Sequence, residues 1–160
     1  MDRESRILIF DANRCVGCHA CETACKMEND VPPGPKWIEC VQREVAVDAD
    51  RWIVKYMPCN CRHCAEPPCE AACQEKAISR TTDGVVLVDQ EKCIGCNLCL
   101  EACPFGAPQF GDDDKMQKCT MCPQRVSLGM PTACEHLCPT GAIRSGTRRE
   151  ISKWKRAGSV

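Results

Sequence analysis

The sequence contains few of the residues that normally build a protein core. Only 28 of its 160 residues are Leu, Ile, Val or Phe, and aromatic residues make up 4% of the chain. Near the N-terminus, the apolar run from Ile7 to Phe10 is too short for a secretion signal or a membrane span. A chain with so little apolar material needs something other than aliphatic packing to hold its fold.

Strong net charge and known catalytic patterns are also missing. The formal net charge is −1, so the chain lacks the basic excess of a dedicated nucleic-acid-binding protein. No nucleophile–base set, phosphate-binding loop or dinucleotide fingerprint is visible in it. We therefore expect no catalytic site, no nucleic-acid partner and no direct insertion into a membrane. Without a signal peptide we expect a cytoplasmic protein, and export together with a signal-bearing partner stays open.

Cysteine is the one residue present in excess, at 18 of 160 residues. The central run consists of Cys93, Cys96, Cys99, Cys103 and Pro104. This C-x2-C-x2-C-x3-C-P spacing is typical of the cluster-binding run of bacterial two-cluster ferredoxins. Three closely spaced thiolates bind three irons of one cubane, and the fourth cysteine reaches a neighbouring cluster. One such run therefore predicts a second.

Three further groups of four cysteines are variants of this run. They are Cys15, Cys18, Cys21 and Cys25; Cys61, Cys64, Cys69 and Cys73; and Cys119, Cys122, Cys134 and Cys138. A shift of 78 residues lays the first group onto the central one, with Gly17 and Gly95 in register. Glycine at this position fits a tight loop whose amide groups approach the cluster. The sixteen cysteines are enough to bind four [4Fe-4S] clusters.

Zinc sites and disulfides are the competing interpretations of so much cysteine. Structural zinc favours two well-separated C-x2-C pairs, which only the fourth group resembles, and disulfides require an oxidising compartment. Cys40 and Cys59 fall outside the sixteen and are expected to be free or buried thiols, although Cys59 is close enough to Cys61 to exchange with it as a ligand. Three histidines lie inside cysteine groups: His19, His63 and His136. We expect them to tune the clusters rather than to bind iron.

Taken together, the four groups resemble those of the four-cluster polyferredoxin subunits of molybdenum or tungsten bis-pterin oxidoreductases. This family includes the B subunits of dimethyl sulfoxide, polysulfide and thiosulfate reductases and the small electron-transfer proteins of formate–hydrogen systems. The resemblance covers roughly residues 6–145. It implies an electron-transfer subunit with four [4Fe-4S] clusters, which relays electrons between a large catalytic subunit and another redox partner.

The resemblance also implies how the ligands are shared between groups. Each cluster takes three cysteines from one group and the fourth from another: Cys15, Cys18 and Cys21 with Cys138; Cys119, Cys122 and Cys134 with Cys25; Cys61, Cys64 and Cys69 with Cys103; and Cys93, Cys96 and Cys99 with Cys73. We accordingly expect an α+β fold in a single polyferredoxin domain over residues 1–160, built from two interleaved bacterial-ferredoxin-like two-cluster modules. Module one takes about residues 1–50 and 115–145, and module two takes about residues 51–114.

The small size of the chain narrows the partner that the resemblance implies. The short link from Cys103 to Cys119 and the 22 residues after Cys138 are most similar to the small soluble subunit of tungsten aldehyde oxidoreductase complexes, which also contain a flavin subunit. We expect that catalytic partner first and a formate dehydrogenase second. Electrons would pass on to a flavin subunit, a ferredoxin or a further copy of the chain. A free-standing soluble polyferredoxin and, more remotely, a zinc-stabilised interaction module are the alternatives.

Short elements are predicted around the cysteine groups. They are a strand over 6–11, a helix over 19–29, hairpins over 37–57 and 81–89, a loop over 104–115, and a surface loop or single helical turn over 123–133. The first hairpin is predicted to turn at 48–50 and the second at Asp83-Gly84. Residues 146–160 form a basic tail, predicted to be solvated, with a docking strip for a partner as the alternative. The three tryptophans, Trp37, Trp52 and Trp154, fit either a core or an interface.

Overall fold

The computed structural model describes residues 5–156, and its secondary structure is short throughout. Within these residues the helices are Ala20–Glu28 (α1), Pro68–Ala71 (α2), Leu98–Glu101 (α3), Pro123–Val126 (α4), Ala133–His136 (α5) and Arg148–Arg156 (α6). The strands are Arg6–Phe10 (β1), Ile38–Ala46 (β2), Trp52–Asn60 (β3), Ile78–Arg80 (β4), Val86–Val88 (β5), Gln109–Phe110 (β6), Met116–Gln117 (β7) and Ile143–Thr147 (β8). Helices α2 to α5 are single turns of four residues, too short to be stable on their own.

The strands of the described residues pair into four separate two-stranded antiparallel sheets. β1 pairs with β8 along its whole length, from Arg6 opposite Thr147 to Phe10 opposite Ile143. The other pairs are local: β2 with β3, β4 with β5, and β6 with β7. An isolated two-stranded ribbon is marginally stable in water, so these sheets depend on whatever packs between them.

Cysteines lie at the centre of both large clusters of buried side chains. The first cluster contains Cys21, Cys25, Ile38, Cys40, Cys134 and Ile143. The second contains Cys69, Ile78, Val86, Cys99 and Met116. The first cluster draws on residues near both ends of the described chain, whereas the second draws on its middle. The apolar core is therefore divided in two, and each half surrounds cysteine groups.

The first predicted elements are confirmed. β1 begins at the predicted residue and ends one residue early, and α1 falls within the predicted helix. The first hairpin pairs Ile38 with Asn60 and Ala46 with Trp52, which leaves the predicted turn at its tip. Pro123–Val126 is the single helical turn that was one of two predictions for that segment.

Three segments differ from the prediction. The second hairpin begins earlier, at β4, because Thr81–Val85 is a turn in which the Thr81 hydroxyl donates to the Val85 carbonyl (2.8 Å) and accepts from the Val85 amide (3.0 Å). Residues 104–115, predicted as a loop, contain β6, which pairs with β7. The basic tail is not a solvated strip, because residues 148–156 form α6 with Ile151 buried against the body. Residues 157–160 of that tail lie outside the described residues.

None of the helices in residues 5–156 has the length and apolar composition that a bilayer crossing requires. The longest of them, α1 and α6, have nine residues each, against about 20 for a transmembrane helix.

Candidate iron–sulfur sites

The four cysteine loops share one backbone conformation, although their sequences differ. The residue before the second cysteine of each loop is left-handed: Gly17 (φ +68°), His63 (φ +45°), Gly95 (φ +73°) and Met121 (φ +63°). This conformation costs an L-residue about 1–2 kcal/mol, and glycine avoids the cost. The two glycines were predicted from the sequence, but His63 and Met121 were not, because neither residue type signals such a bend. The shared bend shows that all four loops turn round a centre in the same way.

Both glycines also lie where a side chain has no room. A Cβ atom at Gly17 would lie 2.4 Å from the Tyr56 ring, and one at Gly95 would lie 2.3 Å from the backbone oxygen of Asp114. The predicted need for glycine is therefore confirmed, but the crowding comes from another part of the chain as well as from the bend.

A second repeated turn follows the fourth cysteine of three groups. Its left-handed residue lies three positions after that cysteine, at Lys76 (φ +51°), Gly106 (φ +60°) and Gly141 (φ +62°). The amide of each donates to the carbonyl of the cysteine three residues earlier, at 3.2 to 3.3 Å. In two of the turns the next amide points at the thiol: Ala77 N–H donates to Cys73 Sγ (3.3 Å) and Ala142 N–H to Cys138 Sγ (3.2 Å).

Four cavities of about 340 to 360 Å³ each are lined by four cysteines from the sixteen. The cysteine sets are Cys15, Cys18, Cys21 and Cys138; Cys25, Cys119, Cys122 and Cys134; Cys61, Cys64, Cys69 and Cys103; and Cys73, Cys93, Cys96 and Cys99. In every set three cysteines come from one group and the fourth comes from a different group. The structure thus brings together all sixteen predicted site residues, four to a cavity.

The chemistry and arrangement of these donors fit a [4Fe-4S] cluster, which requires four thiolates placed around its cubane. Here the thiols surround a void instead of converging on a point. Across residues 5–156, no three Cys, His, Asp or Glu side chains come together closely enough to hold a single metal ion. A structural zinc ion needs such a convergent tetrahedral set, so the geometry favours clusters over zinc.

Several hydrogen bonds already point at the thiols. His63 N–H donates to Cys61 Sγ (3.4 Å), and Met116 N–H donates to Cys93 Sγ (3.3 Å). The Thr132 hydroxyl lies 3.4 Å from Cys134 Sγ. Hydrogen bonds to cluster sulfurs are one of the factors that set the reduction potential.

The thiols are held in surroundings that oppose their ionisation. Burial raises the pKa of Cys21 and of Cys25 to about 12, and that of Cys99 and of Cys134 to about 11. Neighbouring thiols add to the effect, since crowded thiolates repel one another. Such a set becomes anionic only when a metal supplies positive charge, which is what iron ligation does.

The two cysteines outside the sixteen differ in position. Cys40 is buried and lines the cavity of Cys15, Cys18 and Cys21 as a fifth cysteine. Cys59 is exposed on β3 and lines none of the four cavities. Both fit the predicted description as free or buried thiols.

The histidines have the indirect positions expected of them. His63 is buried, its Nδ1 accepts a hydrogen bond from the Val86 amide (3.0 Å), and it does not line a cavity. Burial, and then the nearby Lys118 ammonium, lower the pKa of His63 to about 3, so it is neutral. His19 is exposed and bonded to Glu22 (2.9 Å), and His136 is exposed in α5.

Lys118 was missed in the sequence. It is buried, 3% exposed, and lines the cavity of Cys61, Cys64, Cys69 and Cys103. No sequence signal identifies it, because lysine is normally an exposed residue.

Comparison with known proteins agrees with this geometry. Residues 52–148 match the 4Fe-4S dicluster domain family, and residues 6–27 match a 4Fe-4S binding domain family. A thiosulfate reductase electron transfer subunit, PhsB, from Salmonella typhi is 37% identical over 92% of this chain and 80% of its own length. The B subunit of the anaerobic dimethyl sulfoxide reductase of Escherichia coli K12 is 36% identical over 90% of this chain and 74% of its own length.

A formate dehydrogenase iron-sulfur subunit from Wolinella succinogenes is 34% identical over 95% of this chain and 86% of its own length. Other relatives are longer, and the chain spans 45% of one and 52% of another. These proteins are named as electron-transfer or iron–sulfur subunits of oxidoreductases. Four loops of one shape, sixteen converging cysteines and these matches lead to one assignment: the chain belongs to the 4Fe-4S dicluster domain family, together with the iron–sulfur subunits of such oxidoreductases.

Proposed function

We propose that the chain is the electron-transfer subunit of a molybdenum or tungsten bis-pterin oxidoreductase and relays electrons through four [4Fe-4S] clusters. The observation that carries this proposal is the set of four cavities, each lined by three cysteines of one loop and a fourth from elsewhere. When bound, such clusters supply one-electron redox chemistry. The chain's own residues hold them, shield them from water and direct hydrogen bonds at their ligands.

The ligand sets of this proposal are the four cavity sets, so that Cys138 completes the cluster of the first loop and Cys25 that of the fourth. Cys103 completes the cluster of the second loop, and Cys73 that of the central loop. Support comes from lining residues alone, since Cys73 and Cys138 lie in the cavities of loops remote from them in sequence.

We further propose the two interleaved modules, with the first and fourth groups in one and the second and central groups in the other. The two buried clusters support this division, since one contains Cys21 and Cys134 and the other Cys69 and Cys99. The pairing of β1 with β8 supports it too, because it holds the first and last groups in one half.

We propose that the partner is a large catalytic subunit, and the β2–β3 hairpin supports a stable complex. Its outer half exposes Val45, Trp52, Ile53 and Val54, and Trp52 is 63% exposed. Exposed apolar patches of this kind mark protein–protein contact sites. A free-standing ferredoxin has no need of such a patch.

The identity of the catalytic partner stays a prediction. The named relatives belong to thiosulfate reductase, dimethyl sulfoxide reductase and formate dehydrogenase. The tungsten aldehyde oxidoreductase with its flavin subunit, favoured from the size of the chain, is our first proposal, and a formate dehydrogenase is the second because of the Wolinella relative. Metal analysis of the co-purified complex, for tungsten or molybdenum, separates them. A cytoplasmic location is proposed on the same basis.

The experiment replaces single cysteines and follows each cluster. Full-length chain, reconstituted anaerobically, is expected to hold about sixteen irons, four for each cluster. C15S and C138S, which lie in different groups, should alter the same signal in an EPR-monitored redox titration, whereas C134S alters another. C59S is the matched control and should change neither iron content nor signals. The proposal fails if the wild type holds zinc and no iron, or if C138S and C134S perturb the same cluster.

A further inference from the structure

Lys118 is a buried cation without a carboxylate partner. Its ammonium donates to the carbonyl of Val86 and to that of Cys119, the latter at 3.2 Å. In the part of the chain from residue 5 to 156, no carboxylate oxygen lies within 4 Å of it. An unpaired buried charge is costly, and two carbonyl dipoles offset that cost only in part. Some other negative charge is needed at this position.

The position of Lys118 supplies a candidate for that charge. Lys118 directly precedes Cys119, yet it lines the cavity of the second loop, beside Cys61 and Cys103. A [4Fe-4S] cluster held by four thiolates has a net negative charge, and reduction adds one more negative charge to it.

Asn60 makes the reciprocal crossing. It directly precedes Cys61, the first cysteine of the second loop, yet it lines the cavity of Cys119 and is 4% exposed. The residue before the first cysteine of each loop therefore reaches into the other loop's cavity. The thiols of Cys61 and Cys119 are near enough for each to oppose the other's ionisation. The second and fourth loops thus adjoin at this point, which we call the junction (Asn60, Cys61, Lys118 and Cys119).

Val86 connects the two sides of the junction. Its amide donates to His63 Nδ1 in the second loop (3.0 Å), and its carbonyl accepts from Lys118. Val86 is 1% exposed, so water does not screen this connection. His63 is neutral, which leaves Lys118 as the cation of the junction.

The equivalent residues of the other two loops are different. Arg14 precedes Cys15 and Lys92 precedes Cys93, and both side chains are exposed. The Lys92 side chain is 60% exposed and pairs with Asp89 at 3.0 Å. Burial of a cation before the first cysteine is therefore confined to the fourth loop.

We propose that Lys118 tunes the two clusters that meet at the junction, raising their reduction potentials above the values they would otherwise have. This inference rests on the proposed function, because it requires clusters in both cavities. Lys118 favours the reduced state of each by attracting the added electron through a medium of low dielectric constant. The electron that one cluster gains is the electron that its neighbour loses, and no bond or proton changes. Lys118 acts as a positioning residue for charge, since it keeps the crossing between the two halves accessible in energy.

The test compares K118M with K92M in the full-length reconstituted chain. Methionine keeps the length and apolar stem of lysine but removes its charge. In an EPR-monitored redox titration, K118M should lower the midpoint potentials of two of the four clusters, each by a factor of about ten in the ratio of reduced to oxidised form, or about 59 mV for one electron. K92M, at the matching exposed position, should move none. K118R keeps the charge and should shift both potentials by less than K118M.

The result that overturns the inference is K118M with full iron content and four unchanged potentials, or with all four lowered equally. If K118M does not bind its full iron, wild-type and K118R chains labelled with 15N-lysine decide the question. Pulsed EPR should then detect a lysine nitrogen coupled to the reduced junction clusters in the wild type and not in K118R. Absence of that coupling from the wild type also overturns the inference. Failure of the proposed function is distinct, because it appears as a wild-type chain without four clusters.

Discussion

Gly95 and Gly129 share a backbone φ of +73° but have different surroundings, which makes them a matched pair. A Cβ at Gly95 would meet the Asp114 backbone oxygen at 2.3 Å, whereas a Cβ at Gly129 would have nothing within 4 Å. Both alanine variants bear the strain of the left-handed backbone, about 1–2 kcal/mol. Only G95A also has to displace the backbone of another segment.

We therefore expect G95A to lose the cluster of the central loop, about four of about sixteen irons, while G129A keeps its full content. Iron analysis after anaerobic reconstitution measures the difference, and the EPR signal assigned to the central loop should disappear with it. Equal iron content in the two variants would mean that the close approach at Gly95 is unimportant.

At this scale the sequence identifies the residues that have an unusual chemistry or an unusual backbone. Cysteine spacing predicted all sixteen cavity-lining thiols, and the aligned glycines predicted two of the four left-handed bends. The bends at His63 and Met121 were not predictable, because a side chain tolerates that conformation only when its surroundings over-determine it. Lys118 was not predictable either, since its burial depends on a cavity built by residues distant in sequence.

Among the elements, the β2–β3 hairpin is the one with both faces exposed at its outer end. Trp52 and Val54 lie on one face, and Val45 and Ile53 are opposite each other on the other face. Each of these side chains is at least 39% exposed. The hairpin tip contributes nothing to the four cavities, so its apolar residues are free to contact a partner.

We expect the double variant W52S/V54T to keep its iron and its fold but to lose the catalytic subunit during co-purification. A loss of at least tenfold in the recovered large subunit is the expected size, because buried aromatic residues dominate such interfaces. L128S is the control, since Leu128 is also strongly exposed but lies outside the hairpin. Undiminished recovery with W52S/V54T would exclude the hairpin as the docking site.

Helix α6 shows which element signals were overlooked. Its start is a capping box: Glu150 N–H donates to the Thr147 hydroxyl (3.2 Å), and Thr147 N–H donates to the Glu150 carboxylate (2.8 Å). The T-x-x-E spacing is visible in the sequence, but the abundance of basic residues concealed it. The paired strands β6 and β7, of two residues each, gave no periodicity that could be detected.

At the scale of the whole molecule, the sheets and helices have little to hold them together except what occupies the four cavities. The sheets of the described residues have two strands each, and most helices have a single turn. Few large aliphatic side chains are available to compensate. Metal-organised folds of this kind couple cofactor binding to folding.

Anaerobic removal of iron with a chelator should therefore unfold most of the chain. We expect far-UV circular dichroism to fall and hydrogen-exchange protection of the cysteine loops to drop by at least about tenfold, or about 1.4 kcal/mol. Adding back iron and sulfide should restore both signals. A chain that keeps its protection after complete iron removal would show that the two apolar clusters suffice to maintain the fold.

The overall arrangement was predictable only in part. The fourfold repetition of cysteine groups is a property of the sequence, and it indicated the class of protein. The pairing of β1 with β8 was not predictable from local pattern, because strands 133 residues or more apart carry no mutual signal in their sequences. Which cysteine closes which cavity came from family resemblance and not from spacing.

The pairing of β1 with β8 also has a consequence for biosynthesis. A ribosome releases Cys15, Cys18 and Cys21 before the other cysteines, yet the fourth cysteine of their cavity, Cys138, emerges last of the sixteen. The cavity of the central loop is lined by nothing beyond Met116, so its residues are all available much earlier in translation. A nascent chain therefore keeps its oldest thiols waiting longest for their companion, and iron delivery to that loop has to follow translation rather than accompany it.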